Sequence, residues 1–184
     1  MKKKILIIIG ILVVIIGIVI GIITNSSEEI VTNISEYVPE IEISDEELRK
    51  TIVTLYFRDT TTNKLSSEAR CIDSKELLRD TYKVLIKMLI NGPKDKDLEG
   101  LIPVNTQVIE TELKGDCLII NFSKEFLDVD KSDSVRVSQL IYSIVNTLTE
   151  LKEISKVKFL IDGEEVDAFS DIGIDFKSEF IRID

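Results

Sequence analysis

Residues 134–151 read SVRVSQLIYSIVNTLTEL, and this stretch decides the fold that the sequence predicts. Its apolar residues recur at intervals of three and four, which places them in one wide stripe along a helix. The stripe consists of Val137, Leu140, Ile141, Ile144, Val145, Leu148 and Leu151. Such a helix must bury its stripe against another layer of structure. Ser132 or Ser134 is the expected cap at its start.

A hairpin is predicted before this helix. Residues 117–122, CLIINF, are rich in β-branched and aromatic side chains and predict a strand. Lys114-Gly115-Asp116 is a turn signal, because glycine readily takes the positive φ that a tight hairpin needs. Residues 106–113 are therefore expected to pair with this strand, and a short segment around Phe126 follows it.

A second hairpin is predicted after the helix. Residues 156–161, KVKFLI, form its first strand, and Asp162-Gly163 is the best hairpin signal in the chain. Residues 164–169 are expected to pair back on that strand. Residues 170–184 alternate loosely between apolar and charged types, which indicates a marginal strand or an ordered edge.

The first half of the folded region shows the same order. Residues 51–57, TIVTLYF, predict a strand, and residues 64–72 predict a more polar strand near a sheet edge. Asp73 is placed to begin a helix whose apolar spacing runs through Ile90, and Asn91-Gly92-Pro93 ends it. The pattern β-β-α, β-β-α, β-β predicts an α+β fold, a small mixed or antiparallel sheet covered by two amphipathic helices.

An unbroken apolar run over residues 5–23 precedes the folded region, directly after three lysines. As a helix its length matches the hydrocarbon core of a bilayer, so we expect one transmembrane helix in contact with lipid. The run is longer than a signal-peptide core and no convincing cleavage site follows, which favours an uncleaved anchor. The lysines orient the N-terminus towards the cytoplasm. Whether Gly17 and Gly21 pair such helices stays open.

These features divide the chain into five segments. Residues 1–4 are a cytoplasmic basic stub, residues 5–23 the transmembrane anchor, and residues 24–50 an acidic extended linker. Residues 51–169 are the folded domain, and residues 170–184 are a C-terminal tail. The predicted location is the cell membrane, as a single-pass protein with the bulk of the chain extracytoplasmic.

The charge balance and residue types exclude several functions. The chain has 23 bases and 33 acids, and three of the bases precede the anchor, so the remainder is strongly acidic. Such a surface repels nucleic acid, which we exclude as a partner. Histidine is absent, which removes the usual nucleophilic triads and the commonest zinc sites. We therefore predict no catalytic, cofactor-binding or metal-binding residues, no cofactor and no enzyme activity.

Some uncharged side chains have both a functional and a structural interpretation. Tyr56, Tyr82 and Phe122 could line a ligand groove, but such aromatic residues are more typical of a core. Cys71 and Cys117 are expected to be small buried residues, with a disulfide between them left open.

The charged candidates are weighed in the same way. Arg70 could pair with a carboxylate or bind an anion, although a surface arginine on a strand is the default. Asp128, Asp130 and Asp133 resemble part of a calcium loop but lack its glycine and final glutamate, which favours a plain acidic loop. Two carboxylate pairs, Glu46-Glu47 and Glu164-Glu165, could act as acid and base in a sugar-cleaving site. Such pairs also arise by chance in so acidic a chain.

The order of short motifs over residues 51–168 resembles the GerMN domain, the "sporulation and spore germination" domain. The matching residues are Leu55-Tyr56-Phe57, Arg70, Leu89, Gly92-Pro93, Ile102-Pro103, Thr106, Gly115, Asn121-Phe122-Ser123, Phe126, Gln139-Leu140, Thr147-Leu148, Val157 and Phe159-Leu160-Ile161-Asp162-Gly163. The second-helix motif is looser here, with Asn146 before Thr147-Leu148. The lipid-modified cysteine that many relatives carry is missing, so residues 5–23 would substitute for it.

The resemblance implies a single, non-catalytic GerMN domain on the membrane of a Gram-positive or related bacterium. Such domains are similar to the ring-building domains of secretion and sporulation machines, which oligomerise through helix and sheet faces. The expected function is therefore protein–protein or cell-envelope interaction in envelope, sporulation or germination processes, through an envelope protein partner or self-association. The alternative is a module that binds a small molecule or a peptidoglycan fragment.

Overall fold

The computed structural model describes residues 49–183, which form seven strands and three α-helices. In chain order they are β1 (Lys50–Asp59), β2 (Leu65–Asp73), α1 (Ser74–Arg79), α2 (Thr81–Ile90), β3 (Leu98–Glu99), β4 (Val108–Lys114), β5 (Cys117–Phe122), α3 (Ser134–Leu148), β6 (Lys156–Ile161) and β7 (Phe180–Ile181). Single 3-10 turns lie at Lys124–Leu127 and Ser170–Ile172. The five best-defined strand predictions are confirmed, and the marginal strand of the tail is β7.

The described residues do not include the predicted stub at residues 1–4, the transmembrane span at 5–23 or the linker up to residue 48. Within residues 49–183, no helix is both long enough and apolar enough to cross a membrane.

The strands form two sheets, where the sequence predicted one. β1 is the centre of a three-stranded antiparallel sheet with the order β2-β1-β3. The second sheet has the order β4-β5-β6-β7, in which β5 and β6 are parallel and the outer pairs are antiparallel. The mixed α+β class is confirmed, but the single sheet is wrong. Hydrophobic periodicity marks each strand and carries no information about which strands share hydrogen bonds.

Helix α3 joins the two sheets into one core. It provides the crossover between β5 and β6, because parallel strands cannot be connected by a tight turn. It packs against β1 of the first sheet and β6 of the second. Every predicted stripe residue within the helix is buried, whereas Leu151 lies beyond its end.

The cap of α3 differs from the prediction. Asp133 begins the helix, since its carboxylate accepts the backbone N–H of Arg136 at 2.9 Å. The predicted serine caps are wrong: the N–H and hydroxyl of Ser132 both donate to Asp130, and Ser134 is the first helical residue. Aspartate and serine are almost equally good caps, so the sequence could not rank them.

The predicted helix from Asp73 to Ile90 is two helices. Asp73 caps α1 by accepting the N–H of Lys75 at 2.8 Å, as its position suggested. Asp80 has an extended backbone, with a φ of −167°, and this ends α1. Its carboxylate then caps α2 by accepting the N–H of Lys83 at 3.2 Å. An aspartate side chain competes for backbone N–H groups, and the apolar spacing across this break gives no sign of it.

The hairpin predicted after β6 is wrong beyond its turn. Asp162 and Gly163 take positive φ values of 50° and 86°, as expected. However, Glu164 forms only an isolated bridge to Ile161, and no strand continues from it. The place beside β6 is taken by β7, whose Phe180 pairs with Val157.

Candidate functional site

A cleft of about 580 Å³ lies between the β1–β2 hairpin, α3 and residues 180–183. We call residues 180–183 the strap and this opening the strap cleft. The hairpin contributes Tyr56, Lys64 and Leu65, α3 contributes Ser138, Gln139, Tyr142 and Asn146, and the strap contributes Arg182 and Ile183. Three segments far apart in sequence therefore form it.

Asn146 holds the strap on α3. Its Nδ2 donates to the carbonyl of Ile183 at 3.0 Å, and its Oδ1 accepts the N–H of Ile183 at 3.3 Å. The asparagine is only 5% exposed, so these bonds are shielded from water. The side-chain amide thus pairs with Ile183 as a neighbouring strand would.

Arg182 joins the strap to the hairpin. Its guanidinium forms an ion pair with Glu150 at 2.7 Å, donates to the Tyr56 hydroxyl, and donates to the Asn146 carbonyl at 3.0 Å. Its Cζ also lies 5.2 Å from the centre of the Tyr56 ring, within cation–π range. Burial opposes the charge, but the bonds to Glu150 and Tyr56 outweigh it and raise the pKa of Arg182.

Tyr56 is fixed from both ends. Its backbone N–H donates to Thr147 Oγ1 at 3.0 Å, and its hydroxyl donates to Glu150 at 2.9 Å. Burial, and then the bond to Glu150, raises the pKa of its phenol. The hairpin turn is held separately, because Gln139 Nε2 donates to the Asn63 carbonyl at 2.7 Å.

The groups that line the strap cleft are suited to non-covalent binding. They comprise hydroxyls, amides, aromatic rings and two cations, which can hold a ligand through hydrogen bonds, ion pairs and apolar contact. Glu150, the carboxylate beside the cleft, already engages Arg182 and Tyr56. Among the residues that the structure describes, no group of three or more His, Cys, Asp or Glu side chains could hold a metal ion.

The structure separates the aromatic candidates. Tyr56 lines the strap cleft, whereas Phe122 is completely buried in the core and Tyr82 is half-buried against it. Neither cysteine is bonded in this part of the chain. Cys117 is buried, as expected, and burial followed by the charge of Glu179 raises the pKa of its thiol. Cys71 is exposed, which corrects its prediction as a buried residue.

Arg70 is not the surface arginine expected by default. It is 7% exposed and forms an ion pair with Glu68, which confirms the carboxylate interpretation. Its Nη2 also donates to the carbonyl of Gly92 at 2.8 Å. The default failed because strand propensity gives no information about the loop after α2, which covers this face.

Three of the acidic candidates, Asp130, Asp133 and Glu165, have local structural roles. Asp130 and Asp133 bond to neighbouring backbone N–H groups at the start of α3. Glu165 forms an ion pair with Lys158 on β6. The pair Glu46-Glu47 lies outside the described residues.

Sequence reasoning missed the residues that build the cleft, above all Asn146, Tyr142 and Arg182. One signal was present for Asn146, because it interrupts the apolar stripe of α3 between two buried positions. A buried amide needs hydrogen-bond partners, and the strap provides them. Nothing in the sequence points to Arg182, since its contacts come from residues 126 positions and 32 positions earlier.

Replacing Asn146 with alanine should release the strap. The variant loses both bonds to Ile183 and leaves backbone groups of the strap without partners, at a cost of about 1–3 kcal/mol in unfolding free energy. Urea denaturation measures this cost. Amide hydrogen exchange locates the change, because the variant should exchange faster than wild type at Ile183 but not in β5. Asn105→Ala, at an exposed position, should change stability by less than about 0.5 kcal/mol. Unchanged exchange at Ile183 would contradict the assignment.

The sequence and the fold are both similar to those of known proteins. The family described as "Germane: Sporulation and spore germination" matches residues 54–167. Among curated proteins, none matches the chain. The structure resembles the tandem GerMN domains of the sporulation protein GerM from Bacillus subtilis, with 18% identity and a TM-score of 0.58. That match covers 76% of this chain and 47% of the other, so the chain spans about half of the tandem structure.

Two further solved structures are similar. The first GerMN domain of the same Bacillus subtilis protein is 24% identical with a TM-score of 0.54, over 63% of this chain and 86% of that one. A putative lipoprotein from Clostridium perfringens is 28% identical with a TM-score of 0.49, over 76% of this chain and 92% of that one. Because the family match spans more than half of the sequence, this chain belongs to the Germane, or GerMN, family of sporulation and spore germination domains.

Proposed function

We propose that this protein is a membrane-anchored, extracytoplasmic GerMN protein that acts without catalysis, by binding another protein of the cell envelope during sporulation, germination or envelope maintenance. The observation that carries the proposal is the exposed apolar surface around the strap cleft. Ile183 lines the cleft and is 41% exposed. Val135 on α3 is 61% exposed and lines a neighbouring cavity that shares Ser138, Gln139 and Tyr142 with the strap cleft. Exposed apolar side chains along neighbouring clefts are typical of a protein interaction site.

The tethering part of the proposal rests on residues 5–23. Their uncharged length suits a bilayer, and the preceding lysines favour a cytoplasmic N-terminus. Confinement to a membrane surface raises the effective concentration of the domain, so weak contacts suffice for assembly. The non-catalytic part rests on chemistry, since the carboxylate beside the cleft is engaged in an ion pair and the chain has no histidine.

Site-directed photo-cross-linking in living cells tests this proposal. A photoreactive phenylalanine analogue replaces Val135 in the full-length protein, and cells are irradiated during growth and during sporulation. We expect a discrete cross-linked envelope protein from position 135. The control is position 78, because Leu78 is 84% exposed but lines no described cleft. No product at 135, or the same products at both positions, would refute binding at this surface.

The size of the strap cleft favours a second candidate function. Its volume of about 580 Å³ lies within the usual range for small-molecule sites. A module that binds a small molecule or a peptidoglycan fragment would use its amide and hydroxyl groups for orientation. Thermal shift of the full-length protein with purified muropeptides tests this candidate, because a ligand that binds only the native state raises Tm. No shift at millimolar muropeptide would eliminate it.

A further inference from the structure

We propose that the strap cleft binds an extended, acidic segment of a partner protein, with Lys64 as the group that pairs with its carboxylate. This inference rests on the proposed interaction function and specifies the site and the chemistry of the partner. Neither the family match nor the similar structures assign such a site.

The charge of the cleft is the first argument. Acids outnumber bases in the whole chain, yet no carboxylate is among the residues that line this cleft. Of its two cations, Arg182 is paired with Glu150 beside the cleft, which leaves the charge of Lys64. Lys64 is exposed and has no ion-pair partner within residues 49–183. Electrostatic complementarity of this kind directs a binding site towards negatively charged partners.

The shape of the cleft is the second argument. β7 lies at the edge of the four-stranded sheet, and β2 lies at the edge of the three-stranded sheet. Leu65 begins β2 and lines the cleft, so the cleft adjoins this sheet edge, whereas on the strap the backbone of Ile183 is already bonded to Asn146. Sheet edges recruit extended chains through backbone hydrogen bonds. An extended peptide therefore suits this space better than a helix.

The third argument is that some aromatic and arginine groups of the cleft are already engaged in contacts within the protein. The Arg182 guanidinium lies 5.2 Å over the Tyr56 ring, so Tyr142 is the cleft tyrosine that no described cation covers. Phosphate groups favour the fork of an arginine, but Arg182 is occupied by Glu150, Tyr56 and Asn146. Lys64 remains as a point charge for a carboxylate. Tyr142 and Ile183 remain as apolar contacts for the neighbouring side chain.

The test uses the full-length protein in detergent micelles, labelled with ¹⁵N. The probe is the peptide acetyl-VEIEIT-amide, and its neutral analogue is acetyl-VQIQIT-amide. We expect the acidic peptide to shift the amide signals of Tyr142 and Ile183. The neutral peptide should bind about fivefold more weakly, as expected for one exposed ion pair. Raising the salt concentration from 50 to 300 mM should also weaken binding of the acidic peptide.

Matched variants identify the cation. Lys64→Glu should lower the affinity for the acidic peptide about fivefold or more, and Lys64→Arg should keep that affinity within about twofold. Lys75→Glu makes the same charge change at an exposed position outside the cleft and should leave binding unchanged. Equal losses of peptide affinity in Lys64→Glu and Lys75→Glu would show a general effect of net charge and refute the strap cleft as the binding site.

The remaining outcomes separate this inference from the proposed function. No shifts at millimolar acidic peptide, or equal affinity for the neutral peptide, refutes the acidic segment. If a muropeptide shifts the cleft signals while the acidic peptide does not, the occupant is a wall fragment and the inference fails. If position 135 cross-links to an envelope protein while the acidic peptide does not bind, only the inference fails, and the interaction function stands.

Discussion

Replacing Arg70 with methionine is expected to lower the free energy of unfolding by about 3–5 kcal/mol, as when one partner of a buried ion pair is removed. Arg70 is 7% exposed and Glu68 is 11% exposed in its side chain, so the glutamate would stay buried without its cation. The Gly92 carbonyl would also lose the N–H that Arg70 donates at 2.8 Å. Urea denaturation at pH 7 measures the loss.

The ion pair also predicts a pH dependence. Burial alone would raise the pKa of Glu68, but the N–H of Asp95, the side chain of Arg70 and the N–H of Lys94 together hold it below its ordinary value of 4.5. A carboxyl with a lowered folded-state pKa stabilises the fold above its unfolded pKa, and this contribution is lost as the pH falls through the folded value. The difference between wild type and Arg70→Met should therefore shrink as the pH falls below about 4.5.

An exposed arginine provides the control. Arg49 approaches Asp73 at 3.9 Å, with both side chains 41% exposed, so Arg49→Met should cost at most about 1 kcal/mol. A similar cost for both variants would mean that burial does not strengthen the Arg70 pair. A pH-independent difference would mean that the Glu68 pair contributes nothing, and that the cost comes from the bond to the Gly92 carbonyl and from contact with Phe57, whose ring centre lies 5.7 Å from the guanidinium.

Replacing Phe126 with alanine is the second large effect, at about 3–5 kcal/mol. The ring is fully buried and stacks on Phe122, with 4.4 Å between ring centres and 3° between planes. It also lies near Phe159 and Phe176, whose ring centres are 6.1 and 6.3 Å away. Deleting it opens a cavity where the 3-10 turn, β6 and the C-terminal region meet.

Small proteins have limited stability to lose, so Phe126→Ala could unfold. Phe126→Leu keeps most of the volume and should cost about 1–1.5 kcal/mol, which thermal denaturation can resolve. Leu78→Ala removes an apolar side chain that is 84% exposed and should change stability by less than about 0.5 kcal/mol. If Phe126→Leu were as harmless as Leu78→Ala, Phe126 would not support the core.

The candidate site shows where prediction from sequence stops. Tyr56 was a candidate for a groove, and the structure places it in one. Its partners Glu150 and Arg182 could not be identified, because hydrogen bonds between residues 94 and 126 positions apart leave no periodic trace in the sequence. Arg70 is similar, since its burial depends on the loop around Gly92 rather than on its own strand.

The sequence by itself determined the elements of this protein that depend on neighbouring residues. The stripe of α3, the strands 117–122 and 156–161, and the glycine turns follow from local periodicity and backbone freedom, which act over a few residues. Only the tertiary structure decided that the strands form two sheets, that Asp80 divides one helix into two, and that the strap closes on Asn146. These outcomes depend on which distant groups satisfy each other's hydrogen bonds and burial, and that choice is made when the whole chain packs.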